Sequence, residues 1–163
     1  MRQSNKLCVE LLPTYTEFEE YDEKKFVGYK LAMKRGENHY SIVTGLFRYK
    51  AGTIGPRSYS GLYKKEVEHY NVHLQDRLSI FTNKEDAYTA LKLYNEIEGD
   101  NADLALLEIT ISRNLEKAKY SNKFVSNLDV IVGKTMEKIV EVDVFKYEKK
   151  KSHDTRTKSI TLR

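Results

Sequence analysis

The chain has 163 residues, 28 basic against 24 acidic side chains for a net charge of +4, twelve tyrosines, no tryptophan and one cysteine. A lone cysteine excludes an intrachain disulfide framework and a thiolate zinc cluster, and the small charge surplus permits an anionic partner without demanding one. No apolar run approaches the ~18–20 residues of a membrane-spanning helix, nor does the N-terminal stretch carry a signal peptide's unbroken apolar region, so a cytoplasmic location and no membrane partner are expected.

In chain order, "KLCVELL" (Lys6 to Leu12) reads as a strand stopped by Pro13. The acidic "TEFEEYDEKK" that follows suits one helical turn or a loop. "VGYKLAMKR" alternates, with Tyr29, Leu31 and Met33 on one side and Lys30, Ala32 and Lys34 on the other, the period of a half-buried strand. With the turn "RGEN" and the strand-like "HYSIVTGLFRYKAG" it predicts a β-hairpin. Ala51 to Gly61, "AGTIGPRSYSG", is the longest loop-like stretch, and "LYKKEVEHYNVHLQD" after it is read as a helix or an irregular excursion.

"SIFTNKEDAYTALKLYN" is a strand running into a helix over about 83–97. Thr82 is the expected N-cap, with Glu85 at the third helical position, Asp86 in the first turn, and Ala87, Leu91 and Tyr94 along one face; the helix ends near Gly99. Three strands follow. In "LALLEITIS", Ala105, Leu107, Ile109 and Ile111 share a side; "NLDVIVGKT" is the second; in "EKIVEVDVFKY", Val140, Val142 and Val144 oppose Glu141 and Asp143. The order is that of an α+β fold and lacks the β–α alternation of a doubly wound sheet. The expected architecture is a single domain over 1–147, a curved antiparallel sheet or open barrel with one principal helix. Residues 148–163 read as a basic, flexible tail.

Chemistry-bearing constellations are few. His69 and His73 stand four apart with Glu66 a turn earlier, but Tyr70 occupies the place where a zinc protease needs glutamate. Cys8 reads as a small hydrophobe in a strand. No nucleophile elbow or phosphate-cradling glycine loop occurs, so no catalytic residue, metal or cofactor is assigned. What does interleave is cations with rings: Arg48, Tyr49, Lys50, Arg57, Tyr59 and Tyr63 form the candidate binding set. Such a set suits stacked nucleotide bases or a protein-recognition loop.

Two resemblances attach to these segments. "GYKLAMKRGENHYSIVTGLFRYKAGTI", "LSIFTNKEDAYTAL" and "LALLEITIS" together resemble small proteins of bacteriophages and large DNA viruses over about Gly28 to Phe145. That likeness implies a phage accessory protein in the host cytoplasm, with a host protein as partner. "IFTNKEDAYTAL" and "ALLEITI" are also similar to the ADP-ribosyltransferase-like superfamily. There an early Arg or His (here Arg35, His39 or Arg48) would hold the nicotinamide nucleotide, and a late-strand glutamate, Glu141, would be catalytic. The functional expectation is a non-enzymatic binding module engaging a host protein through the Tyr/Arg-rich loop. Nucleic-acid binding and ADP-ribosyl transfer are the alternatives.

Overall fold

Nine strands of one antiparallel sheet and a single helix make up the described part of the chain. The computed structural model describes residues 13–42, 47–54, 77–94, 102–122 and 124–147, with backbone alone at 90–94, 102 and 147. The elements are β1 (Thr14–Glu20), β2 (Lys25–Arg35), β3 (Asn38–Ser41), β4 (Gly52–Thr53), β5 (Leu78–Phe81), α1 (Lys84–Tyr94), β6 (Ala102–Ser112), β7 (Glu116–Ser121), β8 (Leu128–Gly133) and β9 (Thr135–Tyr147). Across the sheet they run β1-β7-β8-β5-β2-β6-β9-β4, with β3 also on β2, and the sheet does not close into a barrel. The α+β class with one helix is thus as the sequence implied.

The β2–β3 hairpin forms because Gly36, at φ 63°, supplies the left-handed residue that a two-residue turn between Arg35 and Asn38 needs. β6 is an interior strand, flanked along its length by β2 and β9. Leu104 and Leu106 are buried on the helix side, and Ala105, Leu107, Ile109 and Ile111 on the other. Apolar burial on both faces, worth roughly 1.5–3 kcal/mol per large side chain, is what an alternation count on one side of β6 alone misses.

Curvature is strong enough to bring distant strands into contact. Tyr15 of β1 donates to or accepts from Ser79 of β5 at 2.8 Å, although β7 and β8 lie between those strands in the sheet. At the ~4.8 Å strand spacing a flat sheet would hold them about 14 Å apart. The phenol of Tyr15 therefore spans a hollow created by the curl, with Tyr120 packed edge-on at 5.6 Å.

α1 lies on one face of this sheet, and its capping explains the strand-to-helix junction. Asn83, not Thr82, is the N-cap: its Oδ1 accepts from the Asp86 amide at 2.8 Å, and its amide group donates to the Asp86 carboxylate at 3.3 Å. Ala87 is fully buried beneath the helix, and Tyr88 donates to Asp143 of β9 at 3.2 Å. The helix thereby ties β2 to β9 across β6.

Three expectations need correction. The first half of the acidic stretch after Pro13 is not a helical turn or loop but the edge strand β1, carried by Tyr15 and Phe18 and broken by a bulge between Thr16 and Glu19; only residues 21–24 are a loop, leading into β2. β4 and β7 were not foreseen. Finally, β9 takes thirteen residues past the eleven of β6 and bulges twice. Glu141 stands opposite Leu107 but Asp143 opposite Leu106, so the two carboxylates face opposite sides of the sheet. The same shift separates Val140, opposite Glu108, from Val144, opposite Ala105. Lys6–Leu12, 55–76 (with Arg57, Tyr59, Tyr63, His69 and His73), the end of the helix and the basic tail lie outside the described residues.

Candidate functional site

Residues 47–54 run extended across the sheet face opposite the helix. The Ser41 amide donates to the Phe47 carbonyl at 2.8 Å and the Tyr49 amide to the His39 carbonyl at 2.9 Å, pinning one end to β3. At the other end the Ile54 amide donates to the Lys134 carbonyl, the Lys134 ammonium donates back to the Ile54 carbonyl, and β4 pairs with the start of β9. An extended segment sends alternate side chains to opposite sides. Phe47 and Tyr49 go into the core, and Arg48 and Lys50 into solvent.

This placement divides the predicted binding set. Arg48 and Lys50 line an open concavity of about 350 Å³ with Ala51, Gly52, Thr53, Ile54 and Met136. Among the described residues no acidic side chain lines it, and neither cation has a hydrogen bond or ion pair. Tyr49 does not join them. Its exposure is 6% and its ring packs T-shaped on Phe47 at 5.3 Å, so it cannot present a stacking face.

On the same sheet face three ionisable groups from separate strands meet. Glu141 of β9 accepts from His39 of β3 at 2.8 Å and from Lys34 of β2 at 2.9 Å, with a second contact to Lys34 at 3.1 Å. The hydrogen bond with His39, then that from Lys34, holds the Glu141 carboxyl below the usual range. The hydrogen bond to Glu141 holds the Lys34 ammonium above its ordinary value. His39 and Glu141 are two of the residues that the ADP-ribosyltransferase likeness singled out. Both oxygens of that carboxylate are nevertheless engaged by Lys34. The other two basic candidates stand apart: Arg35 lies over the Tyr40 ring at 4.9 Å, and Arg48 is on the rim of the concavity.

No family model, curated protein or solved structure matches the chain. The bacteriophage setting and the host interaction read from the sequence are therefore withdrawn, since no relative places the chain there. Among the described residues no cluster of three or more His, Cys, Asp or Glu is placed to hold a metal, and no helix is long and apolar enough to cross a membrane.

Sequence reasoning missed one polar group of consequence. Lys30, which alternation sets on the side of β2 opposite Leu31 and Met33, turns its ammonium inward to the Ser79 carbonyl at 2.9 Å and the Ser79 hydroxyl at 3.3 Å, beside the Phe81 ring. Part of the side chain reaches the surface, but the nitrogen is enclosed. Burial without a carboxylate partner lowers its pKa to about 8. Close by, burial pushes the Tyr120 phenol up to about 12. The only signal in the sequence was a lysine inside an otherwise apolar strand centre.

Proposed function

We propose that the chain is a binding module without chemistry of its own, and that its ligand is the phosphate backbone of a single-stranded nucleic acid. The observation that supports this reading is the concavity carrying Arg48 and Lys50, with no carboxylate in its lining among the described residues. The two cations are two residues apart on an extended segment, roughly 6.6 Å at Cα. Lys34 and His39, nearby in chain and on the same face, are already spent on Glu141. Among the described residues, the unpaired charge of this face is thus concentrated on the rim. A hollow of this volume falls at the lower end of the size usual for small-ligand sites, about 300–1,000 Å³. With Tyr49 in the core, affinity rests on charge, not on stacking by that ring.

Binding of a labelled single-stranded oligonucleotide, followed by anisotropy across a salt series, tests it. Released counterions make log Kobs fall linearly with log salt, by about 0.7 per phosphate neutralised on a single strand. Arg48→Ala combined with Lys50→Ala should make that slope shallower by about 1.4 while leaving the melting temperature in place. No binding at low salt, or a slope the double variant does not change, removes the reading.

Transfer of ADP-ribose from NAD is the second reading, and it draws support only from the meeting of His39 with Glu141. Label transfer from NAD that Glu141→Gln abolishes would support it. Absence of both label transfer and NAD hydrolysis would end it.

A further inference from the structure

β2 and β5 are joined more narrowly than any other long neighbour pair in the sheet. β2 follows β6 from Lys25–Ser112 to Met33–Leu104, and β6 follows β9 from Ala102–Tyr147 to Ser112–Thr135. Between β2 and β5 the register holds one pair, Tyr29 opposite Phe81. Continued, it would set Leu31 against Ser79. Instead the edge of β2 beyond that point is taken by β3, which pairs with Ala32 through Arg35, and β5 diverges.

The divergence would leave the Ser79 carbonyl without a ladder partner, which is costly for a residue only 2% exposed. The Lys30 ammonium fills the gap at 2.9 Å, so a side chain stands in for a backbone amide. At the apex the strands are unusually close: a Cβ on Gly28 would lie 2.5 Å from the Phe81 carbonyl oxygen and 2.9 Å from Ile80 Cδ1. On one side of this seam stand β1, β7, β8 and β5, and on the other β2, β3, β6, β9 and β4.

We infer that the sheet parts at the β2–β5 seam, pivoting on the close contact of Gly28 and Tyr29 with Phe81, and that Lys30 is the latch. Opening there leads to the buried hydroxyl pair of Ser79 and Tyr15, otherwise closed from solvent at 2% and 5% exposure. Along the backbone the seam is held by one ladder pair and by the Lys30 hydrogen bonds to Ser79, whereas parting β6 from β9 would break a continuous ladder; the apolar contacts of Leu31, Met33 and Ala32 with Phe81, Leu78 and Ile80 must shift as it opens.

Thiol trapping tests the inference. In a Cys8→Ser background, Ser79→Cys reports on the seam, and Ala105→Cys, at a fully buried position of β6, is the control. Under native conditions Ser79→Cys should react with an alkylating reagent at least tenfold faster than Ala105→Cys. Adding Lys30→Met should accelerate the first several-fold and leave the second unchanged. Equal rates at the two cysteines overturn the inference, as does a Lys30→Met effect that moves both alike or neither. If Lys30→Met does not fold, the ratio of the two rates in the chain that retains Lys30 decides alone.

Discussion

Replacing Lys30 by methionine should remove a rise in stability with pH. In the unfolded chain this lysine keeps its proton up to the ordinary value of 10.5, whereas in the folded chain it does so only up to about 8. Between those values the unfolded state binds more protons, so raising the pH favours the folded state. The full penalty applies below pH 8 and is relieved progressively towards pH 10.5; it amounts to roughly 3 kcal/mol at 1.36 kcal/mol per unit of pKa. From pH 7.5 to 9.5 the parent chain should gain about 2 kcal/mol from this group. Lys30→Met cannot titrate there, yet it orphans the Ser79 carbonyl at a cost of about 1–3 kcal/mol. Near neutral pH the two effects offset and the variants should be close in stability. By pH 9.5 the variant should trail by about 2 kcal/mol relative to its position at pH 7.5. Urea denaturation of both proteins at half-unit pH steps measures this, and the difference between them cancels the tyrosine titrations that begin near pH 10. Parallel stability curves would refute the enclosed-amine argument.

Other substitutions probe the scaffold. Gly28→Ala would drive a methyl group into the Phe81 carbonyl oxygen at the seam and should cost about 2 kcal/mol, lowering the melting temperature by several degrees. Asn83→Ala removes the helix cap and should cost about 1 kcal/mol in chemical denaturation, while Asn83→Asp should keep most of it. Arg113 turns the chain from β6 to β7 at φ 71°, so Arg113→Gly should stabilise by about 1 kcal/mol, seen as a higher denaturant midpoint with an unchanged slope. A loss of stability there would mean that the arginine side chain holds something more than a turn.

The parts of the fold legible in the sequence are those whose pattern is local. β2, β6 and β8 alternate or run apolar, Gly36 marks its turn, and the junction at Phe81 to Asp86 carries capping residues; each of these was recovered, with the cap one residue later than expected. β1 was hidden because an edge strand shields itself with charge. Glu17, Glu19 and Glu20 disguise a segment whose main anchor is Tyr15, and the bulge spoils its period. β7 had a readable alternation, Lys117 and Lys119 against Ala118 and Tyr120, but it is short and its lysines leave only two buried positions to mark it. At the candidate site, the outward Arg48 and Lys50 followed from residue type alone. The burial of Tyr49 did not, because it depends on Phe47, a residue two positions earlier that packs against it. The inward turn of Lys30 was hidden for a similar reason: alternation fixes a side chain's starting direction, and the splayed strands beside it decide where its amine ends.

The register also sets a schedule for synthesis. Thr14 of β1 pairs with Ser121 of β7, and Lys25 of β2 with Ser112 of β6, so the earliest strands find their main partners only after most of the chain exists. At about 5–20 residues per second of translation, β1 spends on the order of 5–20 s as an unmated ribbon. During that interval Tyr15, Leu31 and Met33 have no sheet to enter, and a nascent-chain chaperone that shields apolar ribbons would meet this protein chiefly through its first third.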